Sequence, residues 1–239
     1  MQYYCHNPSA ERLIYTGFVR DLREMDGIPS IKYPSEYDGQ QMIIFCCTQH
    51  TDIDWETCTD QMTDARQRKI TAEWVDFLMA NQLPLREVQL CTLTPQRIFN
   101  ALCTQSGVES LRIKWLRCND ISAIAGMKHL KKLFIECAPS LIDISPLALL
   151  KELEVLILGE TMKLRDYSPI GEIKSLQTLG ICRYQTSCDS RKMKMQSDAF
   201  LAGLSALRYL DFQDVVIENQ PFLSPESVRG MEFARFPAE

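Results

Sequence analysis

The densest collection of groups able to do chemistry in this chain is Cys46-Cys47-Thr48-Gln49-His50-Thr51-Asp52-Ile53-Asp54, which gathers thiol, imidazole and carboxylate donors within nine positions. Donors of these types hold a divalent cation when several converge on one point. The spacing works against convergence here. Met42 to Cys47 has the content of a strand, and alternate strand residues face opposite sides, so Cys46 and Cys47 point apart. A polar loop whose aspartates cap a following helix explains the same residues. No metal and no cofactor is expected, and His50, Asp52 and Asp54 are the residues that would hold an ion if one were bound.

Other catalytic signatures are missing from the sequence. There is no glycine-rich phosphate loop, HExxH helix or GxSxG elbow, and His6, His50 and His129 are the only histidines. A Cys/His nucleophile pair would need distant residues to meet, and nothing in the spacing asks for that. The ten cysteines stand singly apart from Cys46 and Cys47 and form no CxxC pair, which suits free thiols in a reducing cytoplasm. The chain is therefore expected not to be an enzyme. The alternative is a small enzyme or metal-binding module in residues 1–60, targeted by the rest of the chain.

Composition narrows the partners. A net charge of -5 and a pI near 5.4 argue against a nucleic-acid backbone as ligand. Met1 to Ile14 carries Tyr3, Tyr4, His6, Asn7 and Glu11 where an export signal needs an apolar run, and no stretch is apolar for long enough to span a bilayer. The expectation is a soluble, cytoplasmic protein, with neither membrane nor nucleic acid as partner.

The elements that must position any functional surface announce themselves as a repeat. Leu130, Leu133 and Ile135 recur as Leu153, Leu156 and Leu158, then as Leu176, Leu179 and Ile181, a period of twenty-three residues. The pattern extends back to Val108, Leu111 and Ile113 and to Leu85, Val88 and Leu90, and forward to Leu207, Leu210 and Phe212. A weaker last copy is read at Val228, Met231 and Phe233. Each LxxLxL segment predicts a strand with its leucines on one face. The intervening Asp120-Ile121-Ser122, Asp143-Ile144-Ser145-Pro146 and Asp166-Tyr167-Ser168-Pro169 predict one turn used three times, with serine as N-cap and proline first in a short helix. Thr94 and Pro95 predict the same for a helix over 94–104.

LxxLxL followed by DISPL and a second apolar pair resembles the leucine-rich repeats of bacterial internalin-type proteins over residues 85 to about 182, more loosely to 236. The resemblance implies an α/β leucine-rich-repeat solenoid, right-handed, with parallel strands on its concave face and short helices or 3-10 turns outside, a fold commonly used for protein recognition. One feature departs from the family. Where internalin repeats usually carry asparagine, this chain has Leu93, Leu116, Ala138, Thr161, Tyr184 and Val215. The domain reading is an N-terminal subdomain of unknown role over 1–60, a helical cap over 61–84 built around Ile70, Trp74, Phe77 and Leu78, and a solenoid over 85–239 with an inserted solvated loop near 183–198.

The residues between the leucines point across the concave face, which makes that surface legible. Phe134, Val155 and Ile157 place three apolar side chains on adjacent strands at positions the core does not need. Arg112, Lys114, Lys132 and Glu136 flank them on one side, Tyr209 and Asp211 on the other, and Trp115 is expected at the rim. An apolar centre in charged surroundings is the anatomy of a protein interface. The expected function is binding of a protein or peptide on this face, in an inhibitor, immunity or scaffold role. The competing expectation is that the N-terminal segment, the inserted loop or a second copy of the chain covers the patch.

Overall fold

The computed structural model describes residues 2–5 (backbone), 28–45, 63–182, 191–219, 222–224 and 226–237. His50, Asp52, Asp54, the cysteines at 46 and 47 and the apolar run Leu13 to Val19 lie outside the described residues.

The twenty-three-residue period becomes a stack of parallel strands. In chain order these are β1 (Gln2–Cys5), β2 (Ser30–Ile31), β3 (Met42–Phe45), β4 (Glu87–Pro95), β5 (Ser110–Arg117), β6 (Lys132–Ile135), β7 (Val155–Gly159), β8 (Thr178–Cys182), β9 (Met193–Met195), β10 (Tyr209–Phe212), β11 (Val215–Ile217) and β12 (Phe233–Phe236). Ten of them form one sheet in the order β1-β12-β10-β8-β7-β6-β5-β4-β3-β2, and β9 and β11 pair separately. All pairs are parallel except β1, which lies antiparallel on β12. The architecture is that of a leucine-rich-repeat solenoid, and β2 and β3 continue the sheet past the first repeat.

Register explains why the core is continuous. Ile43, Val88, Leu111, Leu133, Leu156, Leu179 and Leu210 stand opposite one another from strand to strand, all with no exposed surface. Against them pack two helices, α1 (Asp64–Ala80) and α2 (Gln96–Leu102), and then the 3-10 turns Ser122–Gly126, Ser145–Leu149, Ser168–Glu172 and Ala199–Gly203. Helix α1 packs beside α2 in this layer. Its Trp74 is fully buried, lies edge-on to Phe45 at 4.4 Å between ring centroids, and donates its indole N–H to the Lys32 carbonyl at 2.8 Å. Buried Gln105 donates to the Leu78 and Asn81 carbonyls at 2.8 and 2.9 Å, satisfying helix-end acceptors that would otherwise be orphaned.

Several local expectations are corrected. The turn cap is the aspartate rather than the serine: Asp120, Asp143 and Asp166 each accept the backbone N–H of Ser122, Ser145 and Ser168 at 2.8 Å. The carboxylate reaches two residues on, while serine occupies the first position of the turn itself. Thr94 does not cap α2, since β4 runs on to Pro95 and its hydroxyl donates to the Thr92 carbonyl. Within the expected loop, Met193 and Met195 are fully buried around exposed Lys194, so this part is strand β9 rather than solvated chain. The last repeat is displaced by three residues: Leu210 pairs with Ala234 and Tyr209 with Phe233. Phe233 therefore leaves the core row and faces the other side of the sheet.

Main-chain bonds join neighbouring repeats where this chain departs from asparagine. The Leu116 N–H donates to the Cys137 carbonyl at 2.8 Å and the Ala138 N–H to the Gly159 carbonyl at 3.2 Å, while the side chains at these positions are buried. Thr161, also buried, pairs its hydroxyl with Tyr167 at 2.8 Å. The stack is thus held by apolar rows with main-chain bonds between repeats, and cavities should cost most there. Leu156→Ala is expected to lower unfolding free energy by about 2–5 kcal/mol. Leu149→Ala, at a side chain 61% exposed on a 3-10 turn, should change it by less than about 0.5 kcal/mol in the same urea titration.

Candidate interaction surface

Alternation along the strands sends a second set of side chains to the face opposite the core. Strand register aligns them in rows. The middle row reads Ile44, Gln89, Arg112, Phe134, Ile157, Gly180, Asp211 and Arg235, and the row before it Met42, Glu87, Ser110, Lys132, Val155, Thr178, Tyr209 and Phe233. The sequence-predicted residues Phe134, Val155 and Ile157 do meet. They belong to a second apolar cluster, separate from the main core, formed by buried Ile157, Cys182 and Phe233 with Phe134, Val155 and Tyr209 packed against them.

Each end of this cluster carries an arginine, a carboxylate and a phenylalanine. On β5 and just past the end of β6, Arg112 Nε lies 2.5 Å from Glu136 Oε1, with the guanidinium 5.7 Å from the Phe134 ring centre. On β10 and β12, Arg235 grips Asp211 through Nε at 2.7 Å and Nη2 at 2.5 Å, with its guanidinium 5.8 Å from the Phe233 ring. Gln213 donates to the same carboxylate at 2.8 Å. Stacking on an aromatic face at both ends, and two-point pairing of Arg235 with Asp211, explain why arginine rather than lysine sits there. Tyr209 donates its hydroxyl to Glu232 at 2.5 Å, and that bond raises its pKa above the ordinary phenol value.

The charges are placed where charge is costly. Asp211 has no exposed surface and Glu136 only 6%. Burial pushes the Glu136 carboxyl up, while Arg112 and then Lys114 pull it back down. Gln89, on the same row, is buried with its side-chain oxygen lacking a hydrogen-bond partner among the described residues, although its amide nitrogen reaches Glu87 at 3.0 Å. Gly159 lets the strands close up beside Glu136, because a β-carbon there would sit 2.0 Å from the Glu136 carbonyl oxygen.

Not every predicted residue joins this arrangement. Lys132 is exposed at its edge, and Lys114 is half-buried. Trp115 pairs with Leu93 beyond an irregularity in β4 and is not among the side chains packed on the cluster. Phe233, Arg235 and Cys182 complete the site but escape sequence reading, since the displaced last repeat had put Phe233 in the core. The signal was present in Phe233-Ala234-Arg235-Phe236, where small Ala234 fits the crowded row and the large or charged residues alternate with it.

Nucleophilic chemistry has little to work with among the described residues. Burial raises the thiol of Cys103, pushes Cys118 up to about 12 and, with Glu160 adding to the effect, Cys137 to about 12. Cys182 lies well above its ordinary value for the same reason. Thiols so shifted are protonated at neutral pH and unreactive. His129 is exposed and lies 3.2 Å from Glu152. No group of three or more potential metal ligands occurs among the described residues, and none of their helices is long and apolar enough to cross a membrane.

Comparison with solved structures finds an internalin from Listeria monocytogenes at 17% identity, covering 65% of this chain and 42% of that one with a TM-score of 0.49. Internalin C2 from the same organism matches at 20% identity over 74% of this chain and 85% of its own, TM-score 0.39. A leucine-rich-repeat protein from Leptospira interrogans matches at 14% identity over 62% and 47%, TM-score 0.37. This chain thus corresponds to less than half the length of the first and the last of these. No protein-family profile matches the chain, and no curated protein does. The leucine-rich-repeat solenoid fold rests on the chain's own strand register and twenty-three-residue repeat, and the repeats are similar to those of internalins.

The Arg112–Glu136 pair makes a measurable prediction. Arg112→Leu leaves a buried carboxylate without its cation and should cost about 3–5 kcal/mol at neutral pH. With its folded-state pKa raised further above the unfolded value, Glu136 holds its proton more tightly in the folded state. Stability of the variant is then fully present below the ordinary carboxylate range and lost as pH rises through the folded pKa. Urea unfolding from pH 4 to 7 should show the variant losing stability relative to wild type as pH increases.

Proposed function

We propose that this chain is a cytoplasmic protein-interaction module that binds a protein or peptide through the strand face of its solenoid, with no catalysis of its own. The observation that supports this most is the second apolar cluster. A solenoid core needs only the leucine rows, yet Phe134, Val155, Ile157, Tyr209 and Phe233 gather on the opposite face between two arginine–carboxylate pairs. Aromatic side chains and arginines with a charged edge are what dominates binding energy in protein interfaces. Inhibitor, immunity and scaffold roles all use such a surface. Nine gaps between ten strands at about 4.8 Å give a width of about 43 Å, ample for a standard interface. The described thiols, Cys91, Cys103, Cys118, Cys137 and Cys182, are all free, which suits a reducing compartment.

Lys132 and Phe134 are the site residues best placed to be changed without damage to the fold, being exposed and half-buried respectively. In affinity capture from native lysate, wild type and the outer-face control Leu149→Asp should retain a common partner that Lys132→Glu/Phe134→Ser loses by at least about tenfold, the equivalent of about 1.4 kcal/mol. Equal capture by all three, each folded by circular dichroism, would remove the strand face from consideration.

A further inference from the structure

Arginines in this protein are mostly matched to carboxylates. Arg86 pairs with Glu109, Arg112 with Glu136, Arg165 with Glu218, Arg208 with Glu232 and Arg235 with Asp211. Arg68, Arg97 and Arg117 depart from that habit, since they form no hydrogen bond or ion pair among the described residues. They are not scattered over the surface. All three line one cleft of about 430 Å³, on elements 68, 97 and 117 that are distant in sequence.

Helical spacing and strand register bring them together. On α1, Asp64, Gln67, Arg68 and Thr71 stand at positions i, i+3, i+4 and i+7, which share one face of the helix, and that face lines the cleft. Leu93 and Pro95, two residues apart, close the end of β4 on the same side of the strand. Pro95 and Arg117 are the last residues of β4 and β5 and stand opposite each other in register. Arg97 is the second residue of α2, which begins directly after β4. The cleft therefore carries two chemistries. The three arginines are exposed, while the apolar Leu93 and Pro95 beside them are half-buried.

Three guanidinium groups around one cleft repel one another. Asp64 is the sole carboxylate among the described residues lining it, so two positive charges stay uncompensated, in a chain whose net charge is -5. Such a cleft favours a doubly charged anion. Arginine's planar fork of donors matches phosphate oxygens two at a time, which a point charge does not. Residues 64–68 are also the first turns of α1, so the positive end of a seventeen-residue helix adds to the attraction. A bare phosphate leaves the apolar part unused. A volume of about 430 Å³ falls in the range of small-molecule sites, which join an apolar surface to a few polar anchors. We propose that this cleft binds a phosphate monoester, with the phosphate held by Arg68, Arg97 and Arg117 and the organic group lying on Leu93 and Pro95. None of these residues belongs to the strand-face cluster, so the site stands independently of the reading above.

Calorimetric titration of the full chain with phenyl phosphate at about pH 7.5, where the ester is a dianion, tests this. Saturable one-to-one binding is expected, weakened at least about tenfold in Arg97→Gln and in Arg117→Gln. Both side chains are exposed, so their loss should leave the fold intact, and circular dichroism checks that. Lys128→Gln, which removes an exposed cation elsewhere, should bind as wild type does. Inorganic phosphate should bind more weakly than the ester, for want of the ring. Free small molecules and phosphorylated side chains of proteins both present this group, and a short peptide with a central phosphotyrosine separates them. Binding of the peptide more tightly than phenyl phosphate would identify a protein source, and equal or weaker binding a free ester. No saturable binding up to about 10 mM would overturn the assignment. So would binding indifferent to the arginine variants, an equal loss in Lys128→Gln, or inorganic phosphate binding as tightly as the ester.

Discussion

In-register stacking of parallel strands is the constraint on which the rest of this protein depends. Once Leu111, Leu133, Leu156, Leu179 and Leu210 stand opposite one another, alternation along the strand assigns every other side chain to the opposite face. Phe134, Ile157, Asp211 and Arg235 lie in one row because the core leucines leave them nowhere else to go. A slip of one residue in β5, β6, β10 or β12 would turn Arg112, Lys132, Asp211 or Arg235 into the leucine core. Fold and candidate site are therefore secured by the same pairing.

Two faces with different chemistry result. The core side is apolar, with main-chain bonds such as Leu116 to Cys137 joining neighbouring repeats. The strand side buries two ion pairs, and burying charge favours folding little unless the partners are complete. Arg235 and Gln213 together give Asp211 three hydrogen bonds, whereas Glu136 is held by Arg112 through Nε, which accords with the raised Glu136 carboxyl. Such groups add specificity: each arginine fixes one strand against its neighbour and one phenylalanine against the cluster.

Much of this was legible in the sequence, and the misses have physical causes. The period, the concave rows and the patch at Phe134, Val155 and Ile157 follow from spacing alone, because strand parity is a strict rule. The last repeat did not, because Ala234 takes a leucine position where the chain end tightens, and a search for large residues steps to Phe233 instead. Strand β9 was hidden among lysines and arginines, since two methionines are a weak signal without the neighbouring β11 on which they depend. The aspartate caps were misread as serine caps because both residue types accept backbone N–H bonds and only the geometry distinguishes them. Burial of the strand face could not be read from spacing, since alternation assigns a side chain to a face but not its exposure there.

The central claim is that the strand face carries a second interior in the isolated chain, and Cys182, 3% exposed within that cluster, reports on it directly. Native-state alkylation with iodoacetamide, followed peptide by peptide, compares it with Cys118 in the main core, which is 1% exposed. The account predicts that Cys182 is protected alongside Cys118 until the protein unfolds. Rapid labelling of Cys182 while Cys118 stays protected would mean that the strand face is open to solvent, and would contradict it.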